Sequence, residues 1–226
     1  MNSIENRLRN RFWKYVQIPS QSKFNGGSKV PSTASQWDMV KTLRDECASL
    51  GVVDLEISPY GVLTGKLPAN VPDGSAAVIP AVGFCAHVDT VDVDLSPLVR
   101  PKLTETYDGK DIVLNQDAHI VMKVEEHPEL LPYVGQDIIT SDGTSVLGAD
   151  NKAAIANIMT ALETLSADRT IYHGDIYVAF VPDEECGLFG SKNMDYEKFP
   201  VDFAYTIDSC EVGEVVYETF NAGSAE

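Results

Sequence analysis

Six residues have the side chains and the placement for hydrolytic or metal chemistry: His87, Asp89, Asp150, Glu184, Glu185 and Asp208. His87 and Asp89 follow an apolar run at positions i and i+2, so on extended chain both side chains leave the same face. A carboxylate there can hold an imidazole in the tautomer that presents its other nitrogen to a metal ion. Glu184 and Glu185 are adjacent, and neighbouring carboxylates repel and raise a pKa unless cations or separate roles relieve them. Metal ions are the economical relief. Taken singly, each position has a plainer reading. A His-x-Asp pair at a strand end is more often a surface or capping pair, and Asp150 before a helix is an ordinary N-cap. Glu184 and Glu185 alone make a solvated turn, and Asp208 alone is a strand terminus. Their shared placement favours chemistry: all fall at strand ends or at a helix start facing them, where open α/β sheets build their sites.

The elements that must hold these residues can be read from periodicity. Ile4, Leu8, Phe12 and Tyr15/Val16 recur at helical spacing, closed by Pro19. A second helix from about Ser35 carries Val40, Leu43, Cys47 and Leu50 on one face and stops at Gly51. Val52–Ile57 and Gly61–Leu67 read as paired strands, and Val78–Ala86, apolar on both faces, as a strand inside a sheet. Asn151–Leu165 is a helix with Ile155, Ile158, Met159, Leu162 and Leu165 on one stripe. Asp175–Val181 is another buried strand, with a short helix near Leu188–Asn193, then strands at Phe203–Ile207 and Gly213–Phe220. Residues 92–144 hold Pro97, Pro101, Pro128 and Pro132 and many acids, and read as a surface excursion with short β-like pieces. The expected fold is α/β, with a central, mostly parallel sheet flanked by helices.

Composition narrows the functions. Over 226 residues, 17 Lys+Arg against 34 Asp+Glu give a net charge of −17. That argues against electrostatic binding of nucleic acid or anionic membrane, and mildly favours a cationic substrate such as a free amine. Residues 1–10 lack the apolar stretch of a secretory signal, and the run Ala76–Ala86 is too short and too broken to span a bilayer. Cys47, Cys85, Cys186 and Cys210 show no C-x-x-C spacing, which suits buried thiols in a reducing cytoplasm. Cys186 reads as packing, and His119, His127 and His173 as surface residues.

Four strings, Ala86-His87-Val88-Asp89-Thr90, Leu147-Gly148-Ala149-Asp150-Asn151-Lys152-Ala153, Pro182-Asp183-Glu184-Glu185 and Thr206-Ile207-Asp208, together resemble the di-zinc exopeptidases. Within that family, Leu98-Val99-Arg100-Pro101, Tyr107-Asp108-Gly109-Lys110-Asp111-Ile112 and the run Ser141–Asp150 are similar to the peptidase T group of tripeptide aminopeptidases. The resemblance implies that His87 and Asp208 bind one zinc, that Asp150 bridges two, and that Glu185 binds the other. It implies Glu184 as general base and Asp89 as the residue orienting His87. Mn or Co would suit the same donors. Asn151 and Ala154 depart from the family pattern, where an acid and a Gly are common, but neither position is a ligand. The implied substrate is a small peptide with a free N-terminus, with no nucleic acid or membrane partner, and a homodimer is compatible with the full-length protein.

By the same resemblance, residues 1–212 are the N-terminal segment of a catalytic domain, and 213–226 a strand leading toward a lid domain. A second histidine for the Glu185 zinc is then expected beyond Glu226, and the chain alone is expected to be inactive. Two alternatives stand beside this reading. Another di-zinc exopeptidase or N-deacylase of the same fold differs by its preference for acylated substrates. A non-catalytic remnant predicts a lost ligand, and every ligand expected within the covered region is present.

Overall fold

Connection length decides strand direction here. The structure, a computed structural model, describes residues 3–24, 26–72, 79–208 and 213–217. Helix α1 (Ile4–Val16) is capped by Ser3, whose side chain accepts from the Asn6 N–H, and α2 is Gln36–Ser49. Strands β1 (Val53–Ile57) and β2 (Leu63–Leu67) are joined by a tight turn and must pair antiparallel. Strand β3 (Val82–His87) is followed by the excursion, then by α3 (Ala149–Ala167), β8 (Ile176–Val181), a one-turn helix α4 (Phe189–Lys192) and β9 (Phe203–Thr206). Strands joined by such long crossovers run parallel. The sheet order is β1-β2-β8-β3-β9, parallel across β8-β3-β9 and antiparallel across β1-β2-β8. It is therefore a mixed sheet with a parallel half, and that half carries the candidate residues.

The main core is one cluster around the central sheet. Ile176, Val178 and Phe180 of β8 meet Leu63 and Leu67 of β2, Met39, Val40 and Leu43 of α2, and Ile155, Met159 and Leu162 of α3. Cys47 of α2 lies 3.6 Å from the Met159 sulfur of α3, so the two helices touch within this core. Within the excursion, β4 (Lys102–Thr104) pairs with β7 (Ile138–Thr140), and β5 (Ile112–Asn115) with β6 (Ile120–Met122). It has a small core of its own, with Tyr107, Ile112 and Leu114 at its centre.

Two expectations need amending. The central strand begins at Val82 rather than Val78, which lies outside the described residues, because Pro80 cannot donate to a ladder. The strand expected over Gly213–Phe220 does not form in its described part: Gly213 is a turn, and 214–217 have no regular structure. The remaining positions, 218–220, lie outside the described residues.

Three helices are tied together by Arg11, which donates to Glu46 of α2 and Glu163 of α3, each at 2.6 Å. Burial pushes the Glu46 carboxyl up, but hydrogen bonds from Arg11 and the Lys14 charge outweigh it and hold the group below its ordinary 4.5. A carboxyl with a depressed folded pKa contributes stability above its unfolded pKa, and loses it as pH falls through the folded value. Glu46→Gln is therefore expected to lower Tm at neutral pH, with the gap to wild type closing as pH drops below about 4.5. Thermal unfolding of both proteins across a pH series reads this directly; a gap that stays constant would contradict it.

Candidate metal centre

Strand β3 has β8 on one side and β9 on the other, so the chain crosses over β3 between β8 and β9. That reversal opens a crevice at the C-terminal ends of the three parallel strands. His87 is the last residue of β3, Glu184 and Glu185 follow β8 after Pro182-Asp183, and Asp208 stands two residues past β9. Asp150 enters from the start of α3. The helix start is kinked: Gly148 turns at φ +75°, where a side chain would press on Thr90, and regular helix follows only after Asn151. Asp150 (φ −79°, ψ 107°) and Asn151 are non-helical, which turns the Asp150 carboxylate toward His87. Asn151 donates to the Ile207 carbonyl at 2.8 Å, tying this helix start to the chain just before Asp208.

His87 is buried and contacts carboxylates on both sides. Its Nε2 is 2.8 Å from Asp150 Oδ1 and 3.9 Å from Asp208 Oδ2. Its Nδ1 lies 3.0 Å from the Asp89 backbone carbonyl and 3.4 Å from Asp89 Oδ1. The expected histidine–aspartate contact is thus present, though the carbonyl is the nearer acceptor. The Asp89 carboxylate, with no exposed surface, reaches further: Oδ1 accepts the Glu184 N–H at 3.0 Å and Oδ2 the Glu185 N–H at 3.2 Å. One side chain therefore touches both the imidazole and the backbone that carries the glutamates.

The electrostatics call for a cation. Burial, with the Asp150 charge added, pushes the Glu185 carboxyl up to about 7. Burial also raises Glu184 and Asp208, with neighbouring carboxylates adding to the rise and His87 opposing it. Burial alone would lower His87, but hydrogen bonding and charge from Asp89, then Asp208 and Asp150, lift it to about 9. For Asp89, burial raises the carboxyl, and His87 and the Glu184 N–H outweigh it and hold it low. Two donor groups result, His87–Asp150–Asp208 and His87–Glu184–Glu185, each with ligand atoms within 4.8 Å of one another. Imidazole plus carboxylates, without thiolate, fits a divalent metal of borderline hardness. The Asp150 side chain is 67% exposed and Asp208 42%, so one side of the group is open to solvent.

The other candidates fall elsewhere. Cys186 belongs to neither donor group; its sulfur lies 3.9 Å from the Asp183 carbonyl. Cys47 is buried, Cys85 and Cys186 are half-buried, and Cys210 lies outside the described residues. His119 is exposed and His127 half-exposed, but His173 is buried, against the surface expectation. Its Nδ1 pairs with the Gly174 carbonyl, and its own carbonyl accepts the Asn70 N–H, which draws it beneath the strand-connecting segment. Sequence reasoning missed Gln36 and Ser32, which reach the Glu184 loop through Asp183; nothing in their spacing links position 36 to position 183. Among the described residues, no helix is long and apolar enough to cross a membrane.

Comparison with known proteins gives relatives along most of the chain. No family model matches the chain. A peptidase T-like protein of Rhizobium meliloti is 50% identical over 224 residues, 99% of this chain and 52% of the relative. Peptidase T of Exiguobacterium is 44% identical over 98% of this chain and 52% of its own. The chain thus spans about half the length of the curated relatives it matches. Among solved structures, an aminopeptidase PepT from Bacillus cereus aligns at TM-score 0.62 and 27% identity, over 91% of this chain and 43% of that one. A tripeptidase from Staphylococcus aureus aligns at TM-score 0.62 and 26% identity, over 92% and 44%. The likeness to peptidase T runs along nearly the whole chain.

The double contact of Asp89 carries a consequence for stability. Asp89→Asn keeps one acceptor oxygen and turns an NH2 toward the other N–H, so one of the two backbone donors is orphaned. The expected cost is about 1–3 kcal/mol, read as a lower urea midpoint at unchanged m-value. A midpoint equal to wild type would show that these N–H groups do not depend on Asp89.

Proposed function

We propose that this chain carries the metal centre of a cytoplasmic metallo-aminopeptidase that removes the N-terminal residue of tripeptides, with zinc as its metal. The observation that carries the reading is His87 Nε2 facing Asp150 and Asp208, with Glu184 and Glu185 grouped on the same imidazole. The names of the similar proteins, an aminopeptidase and a tripeptidase among them, support the reaction class. The net charge of −17 suits a substrate with a free amine.

His87, Asp150 and Asp208 would hold one ion, and Asp150 with Glu185 would serve a second. When bound, the metal supplies Lewis acidity to the scissile carbonyl and a more acidic water. Glu184 does the proton work: its carboxylate takes the proton of the attacking water and returns it to the leaving amine. Partial burial suits that task, because a raised carboxyl pKa brings the base closer to the operating pH. Asp89 orients His87 through Nδ1 and fixes the Glu184 backbone. Among the described residues, the Glu185 side offers a second ion only carboxylates and a histidine already committed to the first. The 226-residue chain by itself would then hold at most one zinc tightly and be hydrolytically inert.

Three measurements test this. Glu184→Gln, made in a protein of the relatives' full length, should keep its zinc while kcat falls at least about 100-fold; loss of the metal in that variant would make Glu184 a ligand instead of a base. Free and N-acetylated tripeptides, offered to the unmodified full-length protein, separate the aminopeptidase from an N-deacylase, and preference for the acylated substrate would sink the aminopeptidase. For the 226-residue chain, zinc per chain after dialysis should be at most one. Two retained ions with turnover near about 1 s⁻¹, within the usual enzyme range, would contradict the inert single-ion state.

A further inference from the structure

The loop bearing Glu184 and Glu185 is gripped from a second side. Asp183 is fully buried, with φ +56°, a conformation that Asp tolerates better than most residues. Its Oδ2 accepts the Ser32 N–H at 2.6 Å, and its Oδ1 accepts the Ser32 hydroxyl at 2.5 Å and the Gln36 amide at 2.7 Å. Gln36, itself fully buried at the start of α2, answers with its Oε1, which accepts the Asp183 backbone N–H at 3.1 Å. The amide thus donates to the side chain and accepts from the backbone of one residue. The next two N–H groups along the chain, of Glu184 and Glu185, go to Asp89. Three successive peptide N–H groups are therefore satisfied by two buried side chains from two different elements.

We infer that Asp183, paired with Gln36 and Ser32, is a positioning residue that sets where the Glu184 and Glu185 carboxylates stand relative to His87. A buried carboxylate accepting several donors is costly to leave half-satisfied, so the pairing has one low-energy register. Because α2 packs on the core through Met39, Val40 and Leu43, the loop is referenced to the core rather than to the open crevice. The catalytic meaning of this positioning rests on the proposed metal peptidase; the grip itself does not.

The hydrogen-bond logic gives a test that a merely structural role would fail. In Asp183→Asn the oxygen must stay toward the Ser32 N–H, so the NH2 faces the Gln36 NH2. Rotating Gln36 only moves the clash, since its NH2 then meets the Asp183 backbone N–H. A carboxylate at position 36 accepts at both ends, so adding Gln36→Glu to Asp183→Asn restores the pairing at unchanged net charge. Amide hydrogen exchange is followed in the metal-free 226-residue chain. In Asp183→Asn, protection at the Glu184 and Glu185 amides should fall at least about tenfold, while Phe84 and Val178 in β3 and β8 keep theirs. The double variant should recover most of it. Ser32→Ala, a milder change that keeps the Ser32 backbone donor, should cost about fivefold and stays informative if Asp183→Asn does not fold. Zinc titration of the same proteins should show affinity falling about 10–100-fold in Asp183→Asn and returning in the double variant. Unchanged protection at both amides, or a double variant no better than the single one, would overturn the inference. If the amides respond as expected while wild type binds no zinc, the positioning stands and the metal reading fails.

Discussion

Asp89 lies one residue beyond the hydrogen-bonded end of β3, wholly inside the protein, and its two oxygens accept consecutive N–H groups from the loop after β8. The same residue, through its carbonyl and more distantly its carboxylate, holds His87 Nδ1. The loop after β8 is thereby fixed to the end of β3, just beyond the last paired residues of the two strands. The imidazole and the glutamate loop both take their positions from that connection. The imidazole is committed at Nδ1, so Nε2 is the nitrogen left to face Asp150 and Asp208.

Around this connection the chain concentrates negative charge where it is hardest to tolerate. Asp89, Asp150, Glu184, Glu185 and Asp208 crowd one half-buried histidine-lined crevice, and three of these carboxyls are held above their ordinary range by burial, with their neighbours adding to it. A fold keeps such an arrangement only where something relieves it. Protons relieve it partly, and a divalent cation relieves it more completely, because one ion meets several carboxylates at once. The sheet supplies the frame: the crossover past β3 brings three strand ends to one place without any of the ligands being near in sequence.

Much of this is legible in the residues. Periodicity places α1, α2, α3 and the strands β8 and β9 within a few residues of where they lie, because amphipathic stripes and apolar runs reflect burial directly. Gly148 and Asp150 show why the helix start was harder: an acid before a helix reads as a cap, while here the chain kinks after a left-handed glycine and the Asp150 carboxylate turns to His87. The antiparallel join of β2 to β8 is not legible, since either direction buries the same apolar faces. The pairing of β4 with β7 inside the excursion was likewise hidden, because strands of three residues carry too little alternation to register. The Asp183–Gln36 pair depends on tertiary contact alone, and no local pattern announces it.

The central claim is that His87, with the surrounding carboxylates, forms the metal site. X-ray absorption at the zinc edge of the zinc-loaded 226-residue chain examines it most directly, with His87→Ala beside wild type. The expected wild-type spectrum has one imidazole nitrogen among oxygen neighbours, and the imidazole signal is lost in the variant. Sulfur in the shell, from Cys85 or Cys186, or a spectrum indifferent to His87→Ala, would contradict it.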